Sequence, residues 1–262
     1  MVDQNTIEFA KNLALEAGKI ILEAAEKPFE IEVNNHSDFT TSIDKLVESY
    51  MISKINKKYP NHCIISEELT DNKDVIYSET VWIIDPIDGT ANFIQQKINY
   101  AVSLAVYHRG EGFIGIVYDP TRNEMFMGIK GEGAYLNNRR LALNKSIELK
   151  DAYICIYWNK RVAQWVNELE LFVRASRLIG CASLELSYVA AGRLDICAYY
   201  KLFPWDYAAA KIIMEEAGGK ITNELGEPIK LFEQNHVIAG SKLLQEDLIQ
   251  YIKQGVSNSM QV

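Results

Sequence analysis

Nowhere does this sequence stay apolar for the roughly 20 residues that a membrane-spanning helix requires, so no span is expected. The N-terminal stretch MVDQNTIEFAKN is polar and carries acids, unlike a signal peptide. Cysteine is scarce: Cys63, Cys155, Cys181 and Cys197 form no Cys-x-x-Cys pair, which argues against a zinc site and a secreted disulfide framework. Three of the four lie in apolar runs, as small core residues do. A reduced, cytoplasmic setting is the expectation. Positive charge is in deficit, with 27 Lys and Arg against 35 Asp and Glu and a net charge of −8. That balance argues against nucleic acid or an anionic membrane as the main partner. No low-complexity linker or internal repeat divides the chain.

What remains is ordinary globular material: 262 residues, 48% hydrophobic and 24% charged, enough to bury a sizeable core. Ile7, Ala10, Leu13, Ala14, Ala17 and Ile21 share one helical face between Asp3 and Ala25. A second helix is predicted over Ser42 to Lys58, with Ile43, Leu46, Val47, Tyr50, Met51 and Ile55 as its stripe. Cys63–Ile65 and Val81–Asp85 read as short buried strands, and runs from Tyr100, Phe113 and Asn123 as antiparallel hairpin strands. After about Asn144, strands alternate with helices: a strand from Tyr153, a helix over Val162–Val173, one from Ser183, a strand from Arg193 and a helix from Trp205 stopped by Gly218 and Gly219. HVIAG and a final helix from Lys242 close the chain. The fold class is layered α/β. Residues 1–143 would form a helix pair and mainly antiparallel sheet, and 144–262 an α/β lobe, the two making one catalytic unit.

The chemistry concentrates in Asp85-Pro86-Ile87-Asp88-Gly89-Thr90-Ala91-Asn92-Phe93, which follows an apolar strand. Open sheets place ligands at such strand ends. Two carboxylates three positions apart on a tight turn can converge on hard cations, which prefer oxygen ligands. Gly89 can take a positive φ and bring its amide close to a ligand. Glu67-Glu68 follows the first short strand; adjacent acids there either face solvent or are neutralised by cations. Trp205-Asp206 opens a helix after Pro204, where Asp is also an ordinary cap.

Taken in order, Glu67-Glu68, the Asp85–Phe93 string, and Trp205-Asp206 with Glu216-Ala217-Gly218-Gly219 resemble the motif set of the inositol monophosphatase family. That family belongs to a lithium-sensitive, metal-dependent phosphatase superfamily, and the resemblance covers nearly the whole chain. It implies a five-layer α-β-α-β-α sandwich of the inositol monophosphatase and fructose-1,6-bisphosphatase type. It also implies two to three Mg²⁺ ions: one held by Glu67, Asp85 and the Ile87 carbonyl, one by Asp85, Asp88 and Asp206, and a weaker third near Glu67, with Glu68 behind it. The amides of Gly89 and Thr90 would cradle phosphate, and Asp44 with Thr90 would position the attacking water. The four carboxylates and a phosphate monoester dianion would be neutralised by three Mg²⁺ ions, which reconciles an acidic protein with an anionic substrate. The implied activity is inositol-1-monophosphatase, on a homodimer.

Two departures bear on substrate. Animal members carry a substrate-contacting Glu shortly before Trp-Asp where this chain has Tyr199, and the family's Lys before Asp-x-x-Thr is replaced by Val33 or Asn34. Lys201, near the expected substrate mouth, either favours a second phosphate, as in fructose 1,6-bisphosphate or NADP(H), or is a solvated lysine. Gly180, Ala182 and Glu185 match a stretch lining the sugar side, alongside Asp88 and Asp206. Haloacid dehalogenase-like phosphatases separate their two acids by one residue, whereas Pro86 and Ile87 both intervene here. A non-catalytic ligand-binding relative is the other rival.

Overall fold

The structure is a computed structural model that describes residues 3–35, 38–68, 79–143, 146–158 and 165–259. Helix α1 (Gln4–Ala25) is capped by Asp3, whose carboxylate accepts from the Thr6 amide at 3.1 Å. Its predicted apolar face is buried. Strands β1 (Ile31–Asn35) and β2 (Asp38–Thr41) form an antiparallel ribbon that the polar text did not announce. Helix α2 (Ser42–Lys58) has the predicted bounds. Leu46, placed on its apolar stripe, is instead 53% exposed, because Ile43, Val47, Met51 and Ile55 recur every fourth residue and already fill the contact with the sheet.

Seven strands follow in the order β3-β4-β5-β6-β7-β8-β9. They are β3 (Cys63–Ser66), β4 (Thr80–Asp88), then, after helix α3 (Thr90–Gln96), β5 (Ala101–His108), β6 (Glu111–Asp119), β7 (Glu124–Ile129), β8 (Gly133–Leu136) and β9 (Arg139–Leu141). Among the described residues of this sheet, β3 and β4 are the one parallel pair. Alternate residues of β4 face opposite layers: Trp82 and Ile84 meet α1 and α2, while Val81 and Ile83 face the interior helices. Burial on both faces explains why the strand reads as one apolar run.

The second sheet is built from β10 (Tyr153–Tyr157), β11 (Ala175–Ser176), β12 (Ile196–Leu202), β13 (Lys220–Thr222) and β14 (Asn235–Gly240), ordered β11-β10-β12-β14-β13. Among these strands run α4 (Trp165–Phe172), α5 (Ala182–Ala190), α6 (Pro204–Glu216) and the final α7 (Lys242–Ser259). The predicted boundary at Asn144 and helix start at Val162 lie outside the described residues. Helices α5 and α6 are sandwiched between the two sheets, and α4 and α7 cover the outer face of the second. The layers are therefore α-β-α-β-α. Trp82 and Trp165 are core residues, and Trp158 is half-buried against Trp165 and Tyr200.

Helix α6 lies unusually close to the first sheet because Gly115 and Gly128 leave room for its backbone. A Cβ built on Gly115 would stand 2.2 Å from the Ala209 carbonyl oxygen, and one on Gly128 2.7 Å from the Ile213 Cα. The Ser103 hydroxyl donates to the Trp205 carbonyl at 3.0 Å, and the Tyr107 hydroxyl to that of Ala208 at 3.0 Å. These contacts fix the first turn of α6, and with it Asp206. Gly115→Ala is expected to cost about 3 kcal/mol, since the opposing atoms are backbone and cannot rotate away; a variant melting within 2 °C of wild type would contradict this packing.

Candidate active site

β4 does not end at Asp85. It continues to Asp88, with Asp85 opposite Ser103 and Asp88 opposite Ala101, so one extra residue is accommodated by a bulge at Pro86–Ile87. The predicted tight turn is thus a bulged strand, and the bulge turns both carboxylates toward one cleft. Gly89 follows at φ +89° and opens α3. A Cβ there would approach the Asn99 carbonyl at 3.0 Å and the Cys181 Cβ at 3.2 Å, so the close approach requires glycine.

Asp85, Asp88 and Asp206 each bring a carboxylate oxygen within 4.8 Å of the other two. With Glu67, Phe39, Ile87, Gly89, Thr90, Ala91 and Gly180 they line a cleft of about 210 Å³. Asp206 is not the helix cap its position suggested. It sits in the first turn of α6, where its Oδ2 accepts the Phe203 amide at 2.7 Å, leaving the other oxygen for the cleft. Asp85 Oδ1 accepts the Ile87 amide at 3.0 Å. Asp88 Oδ2 accepts the Ser183 amide at 2.6 Å and the Cys181 thiol at 3.2 Å.

Asp44 stands behind the cleft, buried at the start of α2. It accepts the Thr41 amide at 2.8 Å and the Thr41 hydroxyl, and its Oδ1 faces the Thr90 hydroxyl at 3.3 Å. Thr90 Oγ1 also lies 3.0 Å from the Ile87 carbonyl oxygen. Glu68 turns away from the cleft, accepting from Thr40 Oγ1 at 3.0 Å.

The electrostatics are those of crowded acids. Packing around its carboxyl, then the repulsion of Asp206 and Asp88, pushes Glu67 up to about 9, although its outer surface is exposed. Burial and then Asp88 push Asp206 up to about 8. Burial and the Glu67 charge raise Asp85 as well, and burial raises Asp88 against the opposing hydrogen bonds from Ser183. Among the described residues no lysine, arginine or histidine lines the cleft, and this set of oxygen donors fits hard divalent cations as its counter-charge.

A measurable consequence follows from the sign of these shifts. A carboxyl whose pKa is higher folded than unfolded favours the fold while protonated. That contribution is complete below about pH 4 and is lost as pH climbs through about 8 for Asp206 and about 9 for Glu67. Without metal, the melting temperature is expected to fall between pH 6 and 9, and Mg²⁺ to restore more of it at pH 9 than at pH 6. A metal-free melting temperature that stayed flat over this range would contradict the crowding.

Several residues expected at the substrate do not line the cleft. Tyr199 is buried in the core, its hydroxyl 3.9 Å from the Cys155 sulfur, and Lys201 is exposed with its ammonium over the Tyr200 ring. Ala182 and Glu185 are buried behind Gly180, the only one of that stretch at the wall. Conversely, sequence reasoning missed Cys181, Ser183 and Thr41. Cys181 was placed only within the Gly180–Ala182 stretch on the sugar side, and nothing local marked its thiol as facing Asp88.

Fold and cleft together define a class: layered α-β-α-β-α proteins with a carboxylate pocket able to hold metal ions. A sequence profile of the inositol monophosphatase family matches residues 3–257. The inositol-1-monophosphatase of Bacillus subtilis is 38% identical over 250 residues, covering 93% of this chain and 94% of that protein. Nus factor SuhB of Escherichia coli is 33% identical over 97% of this chain and 98% of its own length. Inositol monophosphatase II of Staphylococcus aureus superposes with a TM-score of 0.87 at 30% identity, over 98% of this chain and 97% of that one. The chain belongs to the inositol monophosphatase family, whose members are metal-dependent.

Proposed function

We propose that this protein is a Mg²⁺-dependent phosphomonoesterase, with inositol 1-phosphate as its foremost substrate, acting by direct attack of water. The observation that carries this reading is a cleft of converging carboxylates, lined among the described residues by no cationic side chain and set against the Thr90–Asp44 pair. Glu67, Asp85 and the Ile87 carbonyl would hold one ion, and Asp85, Asp88 and Asp206 another, with a third near Glu67. Such ions, when bound, offset the phosphate charge and lower the pKa of water beside them.

The chain's own groups do the rest. Asp44 draws the Thr90 hydroxyl proton toward itself, leaving an Oγ1 lone pair to accept a hydrogen bond from the attacking water. Glu67, which lines the same cleft, is the third residue assigned to the reaction. The Gly89 and Thr90 amides, at the start of α3, have no carbonyl four residues back to bond and are available to phosphate oxygens. Residues 1–143 and 144–262 act as one catalytic unit, since Asp206 comes from the second half. A homodimer in the cytoplasm is part of the same reading.

Solved forms of the S. aureus relative hold inositol monophosphate and 2′-AMP, which supports a pocket tolerant of more than one alcohol. The test is phosphate release from inositol 1-phosphate, glycerol 2-phosphate, fructose 1,6-bisphosphate, NADP and 2′-AMP, with Mg²⁺, with EDTA and with added Li⁺. Release that needs Mg²⁺ and falls with Li⁺ is expected. No release from any ester would instead favour a non-catalytic ligand-binding role.

A further inference from the structure

Glu185 is an anomaly of the interior. It is completely buried on the first turn of α5, yet it carries a carboxyl group. Its Oε1 accepts the backbone amides of Ile179, in a short hydrogen bond, and of Gly180, at 3.3 Å. By hydrogen-bond geometry its Oε2 is buried with no partner among the described residues, beside only the weak donor thiol of Cys155. A half-satisfied buried carboxyl costs stability, so packing alone gives no reason for it.

The segment it holds is gripped from the other side too. Asn92 Nδ2 donates to the carbonyls of Ile179 at 2.8 Å, Gly180 at 3.2 Å and Asn99 at 2.9 Å. The amides are thus pinned by Glu185 and the carbonyls by Asn92, which belongs to the Asp85–Phe93 motif. Gly180, at φ +85°, is itself cleft wall, and its carbonyl oxygen stands 3.4 Å from where a Cβ on Gly89 would be. The next residue, Cys181, donates its thiol to Asp88. Any shift of residues 179–181 would therefore move the wall facing Gly89 and one of the donors that aim Asp88.

We infer that Glu185 is a positioning residue, which fixes the 179–181 wall against Gly89 and Asp88 from beneath and so sets how tightly the cleft seats the alcohol side of a phosphate ester. It touches no substrate. The inference rests on the phosphomonoesterase reading for its kinetic consequence, but not for its structural one.

The test compares wild type, Glu185→Ala and Glu185→Gln by steady-state kinetics on inositol 1-phosphate with Mg²⁺, and by hydrogen exchange of the 179–181 segment. Displacing a positioned group by about 1 Å costs up to about a hundredfold. Glu185→Ala is expected to raise KM about tenfold with a smaller change in kcat, and to speed exchange at 179–180. Glu185→Gln keeps an acceptor for both amides and is expected to return KM to within about threefold of wild type. Should the alanine variant not fold, Glu185→Met keeps the volume without the acceptor and is read in its place. Unchanged KM and unchanged exchange in a folded variant lacking the acceptor would overturn the inference. If wild type releases no phosphate from any ester, the functional reading fails, and exchange at 179–180 still decides the positioning role on its own.

Discussion

Replacing Asp88 with asparagine is expected to lower turnover at saturating Mg²⁺ by about a thousandfold or more while leaving the fold intact. The change keeps the side-chain volume, and the asparagine oxygen can still accept the Ser183 amide, which lies 2.6 Å from Oδ2 in the native protein. What disappears is one charged ligand of the proposed metal site. Several kcal/mol of transition-state charge stabilisation are at stake in such sites, and each 1.36 kcal/mol is tenfold in rate. The same substitution has an opposite effect on the metal-free protein. Asp88 is among the charges that raise Glu67, Asp85 and Asp206, so removing it relieves repulsion. At pH 8 without metal, Asp88→Asn is therefore expected to melt above wild type, and to gain less from added Mg²⁺. Turnover near the wild-type rate would show that the ions, if bound, sit elsewhere. A lower metal-free melting temperature would instead show that Asp88 is mainly a structural acceptor for Ser183.

Much of this geometry was legible in the sequence because local pattern and tertiary demand agree there. The face of α1 and the bounds of α2 follow from helical spacing, since both helices bury one stripe on one sheet face. The acids of the Asp85–Phe93 string converge because an apolar run delivers them to the edge of a buried strand. Legibility failed where one residue's role depends on a distant partner. Pro86 and Ile87 read as a turn, but pairing of Asp85 with Ser103 and Asp88 with Ala101 keeps them in the ladder as a bulge. Glu185 read as a substrate contact, yet its helix is packed between two sheets and turns it inward. Tyr199 lies on β12, flanked by β10 and β14, so its position just before Trp205-Asp206 in sequence does not bring it to the cleft. Spacing along a chain cannot register which of two sheets a segment joins.

Thr90→Ala separates chemistry from metal binding more cleanly than any change to a carboxylate. The Thr90 hydroxyl is 3.3 Å from Asp44 Oδ1 and 3.0 Å from the Ile87 carbonyl oxygen, and it carries no charge for a cation to bind. Burial raises Asp44, while its hydrogen bonds from Thr41 and Thr90 oppose that rise, and in the proposed mechanism the pair positions the attacking water. Positioned proton acceptors contribute about a hundred- to ten-thousandfold, and a loss in kcat within that range is expected for Thr90→Ala. Mg²⁺ affinity measured by titration calorimetry should stay within about threefold of wild type, because every carboxylate ligand survives. Thr90→Ser keeps the hydroxyl and should recover most of the rate, whereas Thr90→Val, with the same shape and no hydroxyl, should not. Asp44→Asn should reproduce the loss, and the double variant should be little worse than either alone, as expected of residues that act as one unit. A Thr90→Val enzyme turning over at the wild-type rate would remove Thr90 and Asp44 from the proposed water-positioning role and leave that role to the remaining residues of the cleft, Glu67 among them.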